Sequence, residues 1–304
     1  MQKNKKFILG GGTAGLLYAF YNKDYQLITK QLGGQFSAPF PLGPKYIHVD
    51  KYSKKLFEDL KLKPKIKTVK IGFFYDQKLH KKNTTEQREK YFQKTRGIST
   101  KSYDTAQTSG KTEFQAFDID PDTLVEELTN KIEKDRIILD TVKAIDLDKQ
   151  IIKTTKNGTL QYEHLVSTIP LNVFCSLAGK QSLADSLEYR STTFAKHTGQ
   201  HKIWCELEKK IDEENFDYVY LSEDKIPFHR ITKIKDGFVY EKSGPVSPNF
   251  PLETVVLPVG QIINTAQKID FSNVTFLGRY AKWQHGILIN NVLQEIYESK
   301  EKNV

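Results

Sequence analysis

Apolar residues 7–9 end on glycine, and a helical pattern over 16–21 takes over directly after the turn. A β-prone run, YQLIT at 25–29, follows within a few residues, so the 304-residue chain opens as strand, turn, helix, strand. Further on, a helix is expected near 85–94 and polar Ser/Thr/Gly-rich loop material over 97–112. Asp120 before Pro121 marks a helix start, since proline fits the first helical position, and apolar residues at helical spacing follow over 124–132. Three short strands are read at 136–145, 151–155 and 164–167, with Lys156, Asn157 and Gly158 turning a hairpin. From about 180 to 264, β-prone runs at 199–207, 217–221, 228–234 and 237–240 alternate with turns. Pro245, Pro248 and Pro251 argue against long central strands at the end of that region. A last strand and helix fill 269–298, and no internal repeat or heptad is visible.

The opening turn carries chemistry as well as shape. Residues 7–15 read FILGGGTAG, a G-x-G-x-x-G pattern placed after a strand and at the start of a helix. Gly10 permits the tight turn, Gly12 lets backbone approach a pyrophosphate, and Gly15 lets helix and strand pack closely. The unpaired N–H groups of Thr13, Ala14 and Gly15 would face the phosphates with the positive end of the helix dipole. A tight turn without ligand is the plainer reading of a glycine triplet taken alone.

Four further blocks give the pattern a direction. They are LGGQ at 32–35, LGPKYIHV at 42–49, YEHLVSTIPL at 162–171 and FLGRYAKWQHGILINNVL at 276–293. In this order, over nearly the whole chain, they resemble the flavoprotein group that contains amine oxidases, protoporphyrinogen oxidases and UDP-galactopyranose mutases. YLSEDKIPFHRI at 220–231 resembles a segment of the mutase and protoporphyrinogen-oxidase branches. The resemblance implies an α/β fold with a discontinuous Rossmann-like FAD-binding domain and a second, mainly antiparallel β substrate domain. The expected division is 1–50, 115–180 and 265–304 for FAD, and 51–114 and 181–264 for substrate.

Cofactor contacts follow from the same resemblance. Gly10, Gly12, Thr13, Ala14 and Gly15 would cradle the pyrophosphate, with Gly33, Gly34 and Gln35 lying against FAD. Val142 would meet the adenine end through its backbone, Thr168 would return the chain to the nucleotide, and Gly278 and Arg279 would close over it. Backbone N–H groups at Gly286, Ile287 and Leu288 would stabilise negative charge on the reduced ring. One departure stands out: the group ends its second strand in an acidic residue that bonds ribose, and this chain has Thr29 and Lys30 there. A hydroxyl can still bond ribose but loses the charge-assisted bond, while Lys30 suits a phosphorylated ribose, so NADP stays open as a minor alternative to FAD.

Flavin performs the electron transfer, so the protein must place the substrate and tune the ring. His48 matches the second histidine of the mutase stretch and titrates near neutrality; Lys45 replaces the first. Trp283 is expected as a wall of the ring or an amine clamp, Tyr46 and Tyr280 are weaker candidates, and aromatic core filling is the alternative for all three. His229 and Arg230 are expected to face substrate from the second domain. Cys175 and Cys205 lack metal or disulfide spacing and read as buried small residues, and no metal site is expected.

Charge adds one more clue. The net charge is +9, and residues 51–101 alone hold 16 Lys or Arg against 5 Asp or Glu. That segment would attract an anionic or nucleic-acid-linked substrate; a solvated lysine-rich surface is the alternative, and both stay open. No apolar run approaches the roughly 20 residues that span a bilayer, so a cytoplasmic protein without a membrane span is expected. The resulting expectation is an FAD-dependent, amine-oxidase-like enzyme removing a hydride from a small amine or related substrate. A mutase-like flavin isomerase and a catalytically inactive nucleotide-binding scaffold are its rivals.

Overall fold

The computed structural model describes residues 5–97, 111–198, 205–247, 252–264 and 269–301. It begins with β1 (Lys5–Gly12), α1 (Thr13–Tyr21), β2 (Tyr25–Gly33), β3 (Ile47–His48), α2 (Lys51–Leu60), β4 (Lys65–Tyr75), β5 (Lys78–His80) and α3 (Thr85–Arg96). The middle runs through β6 (Glu113–Asp118), α4 (Pro121–Lys131), β7 (Ile137–Leu139), β8 (Val142–Asp146), β9 (Ile151–Thr154), β10 (Thr159–Ser167), α5 (Leu171–Leu177), α6 (Gln181–Asp185) and β11 (Tyr189–His197). The rest is α7 (Cys205–Glu213), β12 (Tyr218–Leu221), β13 (Arg230–Ile234), β14 (Gly237–Ser243), β15 (Glu253–Ile262), β16 (Val274–Phe276) and α8 (Ile289–Glu301).

Two sheets organise the mixed α/β fold. In the first, β7, β2, β1, β10 and β16 lie side by side and parallel. The beginning of β10 leaves this array to pair antiparallel with β9, and β9 pairs with β8. Period-2 alternation buries both faces of the parallel part. Phe7, Leu9, Ile28 and Leu165 pack with Phe174 of α5, while Ile8, Leu27 and Val166 pack with Leu16 and Leu17 of α1, Leu124 and Leu128 of α4 and Leu293 of α8. Each such side chain, fully buried, contributes roughly 1.5–3 kcal/mol, which is why continuous apolar strands suit a sheet covered on two sides.

The second sheet runs β15-β11-β14-β13-β12-β4-β6-β3, with β5 on β4. Every pairing is antiparallel except that of β12 with β4. Val69, Ile71 and Phe73 of β4 pack against Tyr91 and Phe92 of α3. Val219, Leu221 and Ile231 form another apolar cluster with Leu207 and Ile211 of α7. Among the described residues, no helix is long and apolar enough to cross a membrane.

Several elements differ from the sequence expectation. The strand read over 136–145 breaks at Asp140, whose carboxylate accepts hydrogen bonds from the backbone N–H of Thr141, Lys156 and Asn157 and from the Asn157 side chain. Those bonds hold its pKa well below the usual carboxylate range although burial opposes them. They also separate β7, on the edge of the parallel sheet, from β8 in the hairpin. Of the β-prone run at 199–207, residues 199–204 lie outside the described residues, and its end starts helix α7. Leu207 and Ile211, spaced i and i+4, bury one face of that helix. Pro248, Pro251 and most of the expected 97–112 loop also lie outside the described residues, as does the side chain of Cys205. Cys175 is buried as a free thiol.

Helix α2 and the long strands β4, β11 and β15 had no counterpart in the reading of the pattern. A capping box starts α2, with Asp50 Oδ1 accepting from Ser53 N–H (2.8 Å) and Ser53 Oγ accepting from Asp50 N–H (2.9 Å). Strand β15 carries Pro258 and sits at the sheet edge, where a missing donor is tolerated. Both β3 and β6 pair in the second sheet, although β3 and most of β6 fall within the 1–50 and 115–180 pieces expected for the cofactor.

Candidate functional site

The site begins where β1 ends. Gly10 has φ +103°, a left-handed value that favours glycine, and a Cβ there would meet Thr168 Oγ1 at 2.6 Å. Thr168 Oγ1 itself donates to the carbonyls of Leu9 and Gly10 (2.9 and 3.0 Å), so this hydroxyl braces the turn. A Cβ on Gly15 would lie 1.9 Å from the Gly10 carbonyl oxygen: α1 can rest on the turn only with hydrogen at that position. Gly12 differs, because a Cβ there would meet nothing within 4 Å. Its open side lies at the start of α1, which has no side-chain cap and no acidic residue in its first turn. Uncapped N–H groups beside open space make an anion cradle.

Two distant segments border the cradle. Gly33 and Gly34 both take left-handed φ values, and a Cβ on Gly34 would lie 3.1 Å from Gly12 Cα. Gly278, also at positive φ, brings its chain to the same end of α1, since a Cβ there would lie 3.1 Å from Ala14 Cβ. The next residue, Arg279, donates from Nε to the Ile287 carbonyl (3.3 Å) and so spans the loop that opens α8. Gly286 turns that loop at φ +89°, and Leu288 N–H is taken by Asn291 Oδ1 (2.9 Å). Val142 lies half-buried at the start of β8, opposite Thr154.

The end of β2 corrects one expectation. Thr29 is buried, its hydroxyl accepts from Gly11 N–H (2.9 Å), and it donates to the Gln31 carbonyl (2.6 Å). That hydroxyl ties β2 to the glycine turn and is committed before any ribose arrives. Lys30 is exposed beside it. The pairing of Gly11 with Leu32 and of Gly12 with Gly33 carries β2 straight into the second glycine pair.

Trp283 is a second correction. It is 0 % exposed, packs with Leu171, Cys175, Leu187 and Ile262, and donates from Nε1 to Asn264 Oδ1 (3.1 Å). An indole enclosed on both faces cannot wall a cofactor or clamp an amine; it fills the core. Tyr280 packs against the same cluster, and Tyr46 belongs to the core of the second sheet, stacked with Tyr218. The His48 ring lies flat on Phe114, 4.2 Å between centroids, and burial lowers its proton affinity. Asn290 Nδ2 donates to the His48 carbonyl (2.9 Å), which fixes β3 to the first turn of α8.

A cluster of charged and polar groups, called the crevice below, joins the cradle to the second sheet. Lys45 Nζ donates to Gln35 Oε1 (2.9 Å) and sits 5.4 Å from the centre of the Phe36 ring. Burial pushes this amine down to about 7; Arg279 adds to the effect, as does Arg230, while Glu241 opposes it. Lys45 nevertheless keeps part of its surface accessible. Glu241 is 1 % exposed and accepts two hydrogen bonds from Arg230, Nε to Oε1 (2.6 Å) and Nη2 to Oε2 (2.5 Å). Burial alone would raise its pKa, but Arg230 prevails and holds it down to about 2. Gly43, from the segment that carries Lys45, approaches so closely that a Cβ would lie 2.4 Å from Glu241 Oε1.

His285 and Arg96 extend the cluster toward the surface. Arg96 Nη2 donates to His285 Nε2 (2.5 Å), and a guanidinium has only donors, so that ring nitrogen is unprotonated. Burial, followed by Arg96, Arg279 and Arg230, keeps the imidazole neutral. Arg96 also lines a cavity of about 470 Å³ with Tyr189 and Arg190. Buried His229 lies 3.7 Å from Glu241. The sequence points to Arg230 and His229 and, through the resemblance, to the stretches 45–48 and 279–288 that hold Lys45 and His285, but not to Glu241 or Arg96.

The solved structures place this geometry among known folds. A reduced UDP-galactopyranose mutase superposes with TM-score 0.73 over 99 % of this chain and 95 % of its own, at 12 % identity. Cyclohexylamine oxidase from Brevibacterium oxydans gives 0.63 over 98 % and 99 % at 10 % identity. An oxidoreductase from Methanosarcina mazei gives 0.58 over 98 % and 100 % at 10 % identity. The chain has the fold of the amine-oxidase and galactopyranose-mutase flavoprotein group. No family model matches the sequence, and no curated protein matches it. The likeness therefore resides in the course of the backbone, at 10–12 % sequence identity.

Proposed function

We propose that the chain is an FAD-dependent oxidoreductase of the amine-oxidase-like kind, acting on a small amine or related substrate that carries an anionic group. The observation that carries the reading is the glycine cradle: open space at Gly12, uncapped N–H groups of α1, and Gly34 and Gly278 drawn against the same turn. These features suit a dinucleotide pyrophosphate, with Gly10, Thr13, Ala14 and Gly15 shaping the turn, in a Rossmann-like half built from the parallel sheet. Bound flavin would supply hydride acceptance. Arg279 would neutralise phosphate charge, Gln35 would lie beside the ring, and the Gly286 and Ile287 segment would face its pyrimidine side. Thr29 does not supply the usual ribose contact, so the adenosine end would rest on backbone groups of β2 and β8, including Val142.

The second sheet would hold substrate. Arg230 and Glu241 offset each other, so Arg279 brings a fixed positive charge and Lys45 a titratable one, which favours an anionic substrate group over a simple alkyl amine. The exposed lysines of 51–97 add a favourable outer field, with a nucleic-acid-linked substrate as the extended form of the idea. His48 would serve as a proton-transfer group at the rim, since its ring has no hydrogen-bond partner among the described residues. In domain terms, the pieces 1–50, 115–180 and 265–304 would serve the cofactor, with β3 and β6 reaching across to the substrate sheet.

The test is direct. Purified protein should be yellow or take up added FAD, and Gly12→Val should lose the flavin while keeping its circular-dichroism spectrum, because the new side chain fills only the cradle. Folded protein that stays colourless with excess FAD would leave the scaffold reading. The mutase overlay, at 0.73, exceeds both oxidoreductase overlays and supports a second reading, an isomerase without net redox. Turnover that requires prior reduction and forms no peroxide would select it.

A further inference from the structure

Charge in the crevice does not balance. Glu241 is paired with Arg230 through two hydrogen bonds, with buried His229 3.7 Å from its carboxylate. Among the described residues neither Lys45 nor Arg279 has a carboxylate within ion-pair distance. A guanidinium holds its proton at any ordinary pH, so the amine is the member of this trio that can shed its charge. Hydrogen bonding points the same way. An ammonium carries three donors, yet the surroundings of Lys45 Nζ offer one acceptor, Gln35 Oε1, and one ring face, Phe36.

We infer that Lys45 is a proton-coupled counter-charge, a neutral amine that takes one proton from solvent when a phosphate or carboxylate oxyanion settles beside it and Arg279. Gln35 and Phe36 of the turn after β2 touch the amine, Glu241 of β14 and Arg230 of β13 lie against Gly43 two residues before it, and the charges of these two and of Arg279, from the segment after β16, act on it. The anion offsets the Arg279 charge and supplies a second acceptor, so the ammonium form becomes favourable. The ordinary position of the amine, lowered to about 7, fits this. The sign of the coupling follows: binding strengthens as pH falls, by up to about tenfold per unit, and levels off once Lys45 is already protonated in the free protein. The inference rests on the proposed function only in taking the crevice as the ligand site.

Calorimetry on the full chain at pH 8, in buffers of different ionisation enthalpy, counts the protons. One arm titrates FAD into stripped protein and the other titrates inorganic pyrophosphate into FAD-loaded protein, which separates cofactor phosphate from a substrate-side anion. Uptake of close to one proton in either arm, absent in Lys45→Met and in Lys45→Arg, is the expected result, with Lys45→Arg retaining affinity. Binding without uptake in both arms, or uptake unchanged in the variants, overturns the inference. Reductive methylation with ¹³C and an NMR titration of wild-type protein decide the matter if neither ligand binds. A Lys45 signal titrating near neutrality supports the proposal, and one titrating near the ordinary lysine value of about 10.4 defeats it. A colourless protein with a lowered Lys45 would sink the flavin reading alone, and a yellow protein with an ordinary Lys45 would sink this inference alone.

Discussion

The glycine cradle and the charged crevice adjoin each other yet are built on opposite principles. The cradle is made of backbone, chiefly from one local β-turn-α unit with Gly34 and Gly278 drawn against it, trimmed of side chains so that chain can touch chain. The crevice is made of long polar side chains from the turn after β2, the 42–49 segment, α3, β13, β14 and the Gly-Arg loop. The first depends on what is absent at a few neighbouring positions, and the second on the balance of charges far apart in sequence. Substitutions should therefore fail in different ways: steric overlap in the cradle, uncompensated charge in the crevice.

The harshest test of that contrast is Gly15→Val. Its Cβ would fall 1.9 Å from a backbone oxygen, so helix and turn must separate, with an expected loss of at least about 4 kcal/mol in urea unfolding. Gly12→Val, three residues away, should stay folded; equal destabilisation of the two would erase the distinction between packing glycine and ligand glycine.

Next comes the crevice, through Glu241→Gln. The change leaves Arg230 without its carboxylate at a buried site, and about 3 kcal/mol should be lost. The pH dependence has a definite sign. Glu241 is held down to about 2 when folded against an ordinary 4.5, so its contribution is complete above pH 4.5 and fades as pH falls from there toward 2. The variant should unfold with a flatter acid profile over that window; an unchanged profile would mean that another carboxylate governs acid stability.

Trp283→Phe sharpens the border between core and site. With the indole fully enclosed, the cost should be about 2 kcal/mol in stability, from lost volume and the lost bond to Asn264, with flavin affinity unaltered. A selective loss of flavin would return Trp283 to the ligand. The smallest effect is expected from Thr29→Val, which keeps shape but leaves Gly11 N–H without its acceptor, for about 1 kcal/mol by thermal melting.

The first β-α-β unit, the start of α4 at Asp120 and the hairpin at Asn157 and Gly158 were all legible because neighbouring residues decide them: apolar alternation, a proline at the first helical position, a glycine at left-handed φ. Strands β4, β11 and β15 were not, since their partners lie far along the chain and the pairing, not the local pattern, makes them strands. Sequence thus determined where backbone must turn tightly and where the glycine cradle lies. Only the tertiary structure decided that Trp283 faces core, that the Thr29 hydroxyl is spent on the turn, and that Lys45 lies among Arg230, Glu241 and Arg279. The physical reason is range: steric and hydrogen-bonding rules of a turn act between adjacent residues, whereas burial and charge balance depend on everything the fold gathers around a group.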